Sequence, residues 1–474
     1  MQYSFLLTAG LLVQSTCATW LLPTARNFIY IVPDGYGPAS QTMARDYVSL
    51  LQNGENPKAP VSIQLPADQM VIGNVRTQAS NNLITDSAAA ATAFGCGVKT
   101  YNDAIAVAVD DDGQPVGSIL EAAKLQGFKT GLVVTSTINH ATPACYAAHV
   151  ANRNSYEKIA EHEIGYSHPL GPDDVDLFGF AKGKGFRVMQ DRAAFDELKL
   201  GKAKAADLPY IGLFNDDQMM YEIDRSRQPE KEPSLLEMVE TALNSLDRAT
   251  KWTWKGYFLM IEASRIDHAG HANDPAGHLH DTIMYNDVMK FAREWIDAHP
   301  DTMMLSAADH ECGGLTLNGF DPVPLKDVSM SIERVGQLWD AYNGTGTDRR
   351  AYLADTILPG YGLSGLSDAE IDQILANDDL GGDLTKRLSD KAGVHWSTGG
   401  HTATDITLFG YGSGWRGGNL KADMAGNWDN TQLPGYIEGV LKLKMSDVTK
   451  KLRQQGTDWV GKRSVDGPNH IHKH

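Results

Sequence analysis

The sequence predicts an α/β fold: a mostly parallel central sheet flanked by helices on both faces, with inserted surface segments. Three observations predict it. Five short apolar runs lie along the chain, at residues 28–32, 131–135, 257–261, 303–306 and 406–409. Each is brief and nearly continuous in apolar residues, the pattern of strands buried on both faces. Helical patterns fall between successive runs, and an alternation of strand and helix builds a parallel sheet. Polar residues stand directly at the ends of the runs, where open α/β sheets place their ligands.

Taken in order, residues 5–13 form a short apolar run, and Thr16-Cys17-Ala18 supplies small residues before a cut near Ala18. Residues 1–18 therefore read as an export signal, although no Lys or Arg precedes the run. The run falls short of the roughly 20 residues that a transmembrane helix needs, and nothing later is long and apolar enough to span. A secreted, periplasmic or extracellular location is expected. After the first strand, Thr85-Asp86-Ser87-Ala88-Ala89-Ala90-Ala91-Thr92 sets a serine at the start of an alanine-rich helix. Alanine is the best helix former, and Asp and Ser are ordinary N-caps.

Ser118 caps a helix through Ile119, Ala122 and Ala123 that stops at Gly127, just before the second strand. Leu235, Leu236, Val239, Leu243 and Leu246 mark a helix before the third strand, and Met284, Val288, Phe291 and Trp295 mark one before the fourth. Residues 160–230 and 315–395 are rich in Gly, Asp and Lys with weak periodicity. They read as insertions into one domain spanning 19–460. The ending, Asn469-His470-Ile471-His472-Lys473-His474, reads as part of a disordered His-rich tail over 461–474.

The formal net charge of -17 argues against a nucleic-acid or anionic-membrane partner, either of which calls for a basic surface. A phosphate-ester substrate would need that charge reversed locally, most simply by divalent cations. After export cleavage Cys96, Cys145 and Cys312 remain, so at most one internal disulfide can form. Asn343-Gly344-Thr345 is a glycosylation sequon.

The polar residues carry the functional argument. Asp34 follows the first strand in Pro33-Asp34-Gly35-Tyr36-Gly37; the third strand runs into Glu262, then Asp267 and His271, four residues apart; the fourth ends in Asp309-His310; His401 stands just ahead of the fifth. Singly, each reads as a turn aspartate or a hydrogen-bonded histidine. Together, four strand ends deliver carboxylate and imidazole to one edge of a sheet. Mixed His and Asp ligation suits zinc, and an all-oxygen set including Glu262 suits magnesium, so more than one metal is expected.

With these motifs in view, the chain resembles the alkaline phosphatases. The matching residues are the Asp34-Gly35 turn, Asp86-Ser87-Ala88-Ala89, His140-Ala141-Thr142-Pro143 followed by Ala148-His149 and Arg153, Glu262 with Asp267 and His271, Asp309-His310, and His401-Thr402. They occur in the family's order over residues 27 to about 412. The resemblance implies two zinc ions, the first held by Asp267, His271 and His401 and the second by Asp34, Asp309 and His310. It implies one magnesium ion held by Asp34, Thr142 and Glu262. Ser87 would be the nucleophile, forming a phosphoserine that water resolves, and Arg153 would grip the phosphoryl oxygens through its two-pronged guanidinium. Asp86 would then orient Arg153 rather than cap the helix.

His140 and His268 stand where some members carry aspartate and lysine; either would contact phosphate through water or support the metals, and His140 would let zinc compete with magnesium. His149 and His395 read as structural histidines. The expected substrates are small phosphate monoesters hydrolysed at alkaline pH, by a chain that is often a homodimer in this family. The alternatives are a related phosphodiesterase or sulfatase, or a non-catalytic secreted metal-binding protein. A sulfatase would carry a Cys/Ser-x-Pro-x-Arg pattern that this chain lacks at Ser87, and a storage protein would not explain Ser87 and Arg153.

Overall fold

A computed structural model of the chain describes residues 24–56, 59–109, 113–165, 177–199 and 207–461. The export segment read over 1–18 and the tail from 462 onward lie outside the described residues. The centre is a seven-stranded sheet made, in chain order, of β1 (Asn27–Pro33), β2 (Val71–Arg76), β3 (Lys129–Val134), β4 (Tyr257–Ala263), β5 (Thr302–Ala307), β6 (Ile406–Gly412) and β7 (Gly426–Asp429). Across the sheet they run β7-β2-β6-β5-β1-β4-β3. β5, β1, β4 and β3 pair in parallel, as do β7 and β2.

β6 is antiparallel to both neighbours, β5 and β2. That reversal positions the site, because the start of β6 lies at the same edge as the carboxyl ends of the parallel strands. Every residue of β1, β4 and β5 is buried, as expected of strands with helices over both faces. β2 and β7 escaped the sequence reading. β2 is mostly exposed or half-buried along its length and β7 has no buried residue, so neither shows a continuous apolar run.

The helices that position the site are α1 (Pro38–Gln52), α2 (Ser87–Cys96), α3 (Ile119–Leu125), α4 (Ala141–Ala147), α5 (Leu235–Thr250), α6 (Arg265–His271) and α7 (Pro275–Ala298). Four of them, α2, α3, α5 and α7, start on a side-chain cap. Ser118 with Glu121 and Ser234 with Glu237 form reciprocal capping boxes for α3 and α5, which satisfy two of the unpaired N–H groups each helix start leaves. Residues 315–395 are more helical than their composition suggests: Ile332–Ala341, Asp368–Leu375 and Leu380–Ala392 are all helices. The first buries only Val335 and the second only Ile371 and Ile374, too few positions to write a clear periodicity. Their apolar residues join Met43 and Tyr47 of α1 and Leu279 of α7 in a second core cluster beside the sheet.

Among the described residues no helix is long and apolar enough to cross a membrane. Cys96, Cys145 and Cys312 are buried free thiols.

Candidate active site and metal centre

The residues singled out at the strand ends meet at one edge of the sheet. Asp34 follows β1, and its backbone N–H donates to the carbonyl of Ala263 at the end of β4 at 3.2 Å. Gly35 then turns with φ +71°, a conformation that costs glycine little. A Cβ there would lie 2.5 Å from the Asp267 Cα, so only glycine lets the β1 turn approach α6 this closely. The Gly35 N–H also donates to Asp309 Oδ1 at 3.3 Å, which ties the end of β5 to the same turn.

Ser87 is the first residue of α2 and is buried. The helix start is set by Asp86, whose Oδ1 accepts from the Ala89 N–H at 2.8 Å, and the helix ends at Gly97 in the left-handed conformation. The other oxygen of Asp86 accepts from Arg153 Nη1 at 3.2 Å and from the Asp103 N–H at 2.9 Å. The expectation that Asp86 orients Arg153 rather than capping the helix is corrected on this point. One carboxylate does both, an oxygen for each. Arg153 is buried, and its Nη2 lies 3.3 Å from His140 Nε2. The Ser87 hydroxyl, at a helix N-terminus where N–H groups are unpaired, sits 3.2 Å from His310 Nε2.

Around Ser87 the ligand-type side chains fall into three groups, each with donor atoms within 4.8 Å of one another. The first is Asp267, His271 and His401, with Cys312 beside them; the second is Asp34, Asp309 and His310; the third is Asp34, Glu262 and His140. Asp34 belongs to two of them. Thr142, two residues after His140 on α4, is fully buried next to Glu262. Glu262 also accepts from the Ser136 hydroxyl at 3.2 Å.

The imidazole tautomers in the first group follow from their partners. His271 Nδ1 lies 2.7 Å from the Gly399 carbonyl and His401 Nδ1 lies 2.9 Å from the Thr85 carbonyl. A carbonyl only accepts, so each Nδ1 carries a proton, and each ring in its neutral form presents a lone pair at Nε2. The two Nε2 atoms face one another at 3.0 Å, with Asp267 oxygens 3.3 Å and 3.5 Å from them. Two lone pairs and a carboxylate converging on one point call for a cation. In the second and third groups, both oxygens of Asp34 are buried without a hydrogen-bond donor, a costly state unless a cation binds them.

The electrostatics agree. Burial, with the charges of Asp309 and Asp267, pushes the Asp34 carboxyl well up. Burial also lifts Asp309 to about 6 and Glu262 to about 7. Asp267 goes the other way, for burial is outweighed by His271, His401 and His310, which hold its carboxyl well below the usual range.

Two neighbours were missed from the sequence. Cys312 was weighed only as a disulfide partner, yet it pairs with His401 in a two-residue antiparallel bridge that brings its sulfur to the first group. Burial and the Asp267 charge push that thiol well up, so it stays protonated. Arg265 is the second. It is buried at the start of α6, donates to His268 Nδ1 at 2.7 Å, pairs with Glu333, and stacks over the Tyr221 ring at 3.9 Å. Its place three residues before His268 on one helical turn was the available signal. His268 in turn packs edge-on against His140, with ring centroids 5.6 Å apart. The other two histidines do structural work: His149 bridges the Ala106 carbonyl at 2.9 Å and Glu121 at 3.0 Å, and His395 sits 3.1 Å from the Asn318 carbonyl.

The chain was also compared with known proteins. The sequence profile of the alkaline phosphatase family matches residues 25–169 and 171–443. The alkaline phosphatase of Schizosaccharomyces pombe is 37% identical over 90% of this chain and 83% of its own length. The repressible alkaline phosphatase of Saccharomyces cerevisiae is 33% identical with the same coverage. Among solved structures, the Thermus thermophilus alkaline phosphatase superposes with a TM-score of 0.73 at 26% identity, covering 95% of this chain and 100% of that one. A profile that accounts for nearly all of the described chain, over a sheet edge carrying a buried serine, an arginine and three ligand groups, establishes that the chain belongs to the alkaline phosphatase family of metal-dependent phosphomonoesterases.

Proposed function

We propose that the chain hydrolyses phosphate monoesters through a covalent phosphoserine at Ser87, with two zinc ions and one magnesium ion, and works best at alkaline pH. One observation carries the reading. Ser87 lies at a helix N-terminus, 3.2 Å from His310, with the Asp86–Arg153 ion pair on one side and Asp34 and Asp309 on the other. Asp267, His271 and His401 would hold the first zinc, Asp34, Asp309 and His310 the second, and Asp34, Thr142 and Glu262 the magnesium. Bound there, the metals would supply Lewis-acid chemistry: acidifying the Ser87 hydroxyl and water, and neutralising charge on the attacking and leaving oxygens.

The rest falls to the chain itself. Arg153, held by Asp86, would bind two phosphoryl oxygens and present phosphorus to Ser87 Oγ; His268 would contact the remaining non-bridging oxygen through water. Ser87 Oγ would displace the alcohol, leaving a phosphoserine, and water attacking the same phosphorus would release inorganic phosphate and restore the serine. The N–H groups opening α2 and the Arg153 charge favour the dianion at each stage. The alkaline optimum is what membership of the family suggests; burial raises Asp34, Asp309 and Glu262 in the metal-free chain, so protons would compete with metal for these carboxyls on the acid side. His140, within ligand reach of Asp34 and Glu262, would let zinc compete for the third position. A metal analysis returning two zinc and one magnesium counts against that competition. Secretion and homodimer formation belong to the same proposal, tested by cell fractionation and by sedimentation.

The test compares a chromogenic monoester, a diester and a sulfate at alkaline pH, with and without chelator, for the wild-type chain and Ser87→Ala. Monoester hydrolysis should dominate, vanish with chelator, and fall about 10³-fold or more in the variant. Acid-quenched wild-type protein should yield a peptide phosphorylated at Ser87. Strong monoester activity surviving in Ser87→Ala would remove the covalent mechanism.

A further inference from the structure

The edge of the sheet opposite the catalytic one carries a feature that hydrolysis does not use. Between α5 and β4 the chain reads Lys251-Trp252-Thr253-Trp254-Lys255, and its two tryptophans are 89% and 100% exposed. Indole rings this large are costly to leave in water. The turn is not slack. Arg26 donates through Nη2 to the carbonyls of Thr250, Thr253 (2.8 Å) and Lys255 (3.5 Å). Thr253 Oγ1 donates to the Thr250 carbonyl at 3.1 Å. A Cβ at Gly256 would sit 2.1 Å from the Arg26 carbonyl, so glycine lets the turn close against β1. The tryptophans are thus held outward, and binding through them would cost little ordering entropy.

The surroundings are basic, in a chain of net charge -17. Lys255 lies over the Phe128 ring at 5.0 Å, and the Lys129 N–H donates to the Gly256 carbonyl at 3.0 Å. Leu125, itself exposed, and Gln126 line a shallow depression with Lys444, Lys450 and Lys451. Acidic groups are interspersed: Asp447 in the depression, Glu438 accepting from the Met445 N–H beside Lys444, Asp247 and Asp301 near Tyr257, with Asp301 paired to Arg26 at 3.9 Å, and Asp207 paired to Arg248 at 3.3 Å. Against them stand Lys129, Lys251, Lys255, Lys444, Lys450 and Lys451.

We propose that this edge docks the protein on an anionic lipid surface, the tryptophans entering the headgroup region and the lysines neutralising lipid charge. Tryptophan favours the membrane–water interface because one side of the indole is apolar and its N–H is polar, and basic residues beside an apolar tip add attraction to anionic lipid. Charge complementarity selects this occupant over a second copy of the same face, which would set lysine against lysine. The orientation suits the enzyme. Lys129 and Tyr257 begin β3 and β4, whereas Glu262 lies towards the far end of β4, ~17 Å away along a strand rising about 3.3 Å per residue. A docked molecule would hold its catalytic edge towards solvent.

The test is co-sedimentation of the full chain with phosphatidylcholine vesicles with and without phosphatidylglycerol, at low and high salt. The wild type should bind the anionic vesicles at low salt, with a blue shift of tryptophan emission. Trp252→Ala/Trp254→Ala and Lys450→Glu/Lys451→Glu should each partition roughly tenfold more weakly, with hydrolysis of a small soluble monoester unchanged in both. Wild-type protein that ignores anionic vesicles overturns the proposal, as does a tryptophan variant that binds them equally well. So does a self-association that the tryptophan variant abolishes without vesicle binding, or capture by a soluble polyanion that is indifferent to the tryptophans.

Discussion

The ligand groups on the two sides of Ser87 are balanced in opposite ways. The outer one sets a single carboxylate, Asp267, against two imidazoles, His271 and His401, and leaves those rings 9% and 8% exposed. Its carboxyl is held well below the usual range by the histidines around it. The inner groups crowd Asp34, Asp309 and Glu262 together, all three fully buried, with His310 and His140 among them and the charge of Arg153 acting on Asp34. Their carboxyls are all pushed up. The outer group is electrostatically tolerable on its own, whereas the inner groups, when ionised, repel one another until a proton or a cation relieves them. Metal loading should therefore stabilise the inner groups most, and activity and metal-free stability should respond to mutation there with opposite signs.

The sharpest way to break this contrast is Asp34→Asn. Asp34 serves two groups, so kcat/KM for a monoester should fall by about 10³-fold or more and two metals per chain should be lost. The metal-free protein should nevertheless melt a few degrees higher than metal-free wild type, by calorimetry, because one of three mutually repelling carboxylates is gone. A lower metal-free melting temperature would mean that the inner carboxylates are not in conflict.

Next in size is the pH response of metal-free Glu262→Gln. Folding raises Glu262 to about 7, so its proton is held more tightly in the native state than in the unfolded one. The stability it contributes is full below its unfolded pKa and is lost as pH rises through about 7. The melting-temperature advantage of Glu262→Gln over wild type should accordingly widen between pH 5 and 8, and metal should abolish the trend. A constant gap would refute the assigned shift.

The smallest effect is expected at Cys312→Ala, next to the outer group. Three other side chains hold that position and the thiol stays protonated, so kcat should change by less than about threefold and metal content not at all. A large loss of metal would make Cys312 a ligand and redraw the outer group.

Much of this site was legible before any coordinates. The strand at Asn27–Pro33 announces itself as an unbroken apolar run, and Asp34 follows it directly. The same local logic located Glu262 and Asp309-His310, because a residue that terminates a buried parallel strand must surface at the sheet's carboxyl edge. His401 was placed at the same edge too, although it precedes its strand and a parallel strand there would have carried it to the opposite edge. It reaches the site only because β6 runs antiparallel to β5. Cys312 and Arg265 depended on a two-residue bridge and on one turn of helix, contacts that carry too little sequence signal to be singled out.

The basic edge was hidden for a different reason. Net charge sums over the whole chain, whereas a surface is read locally, and the Lys251–Lys255 segment lies far in sequence from Lys444, Lys450 and Lys451, with which it shares an edge only after folding.

What the sequence determined alone is the alternation of strands and helices, the capped start of the Ser87 helix and the chemical types at the strand ends. All of these are written in neighbouring residues. What only the tertiary structure decided is which of those side chains lie within ligand distance of one another and how Asp86 divides its two oxygens. The structure also shows that repulsion gathers at Asp34, Asp309 and Glu262 rather than at Asp267. Such balances depend on distances of a few ångströms between segments hundreds of residues apart, and burial strengthens every charge interaction within them.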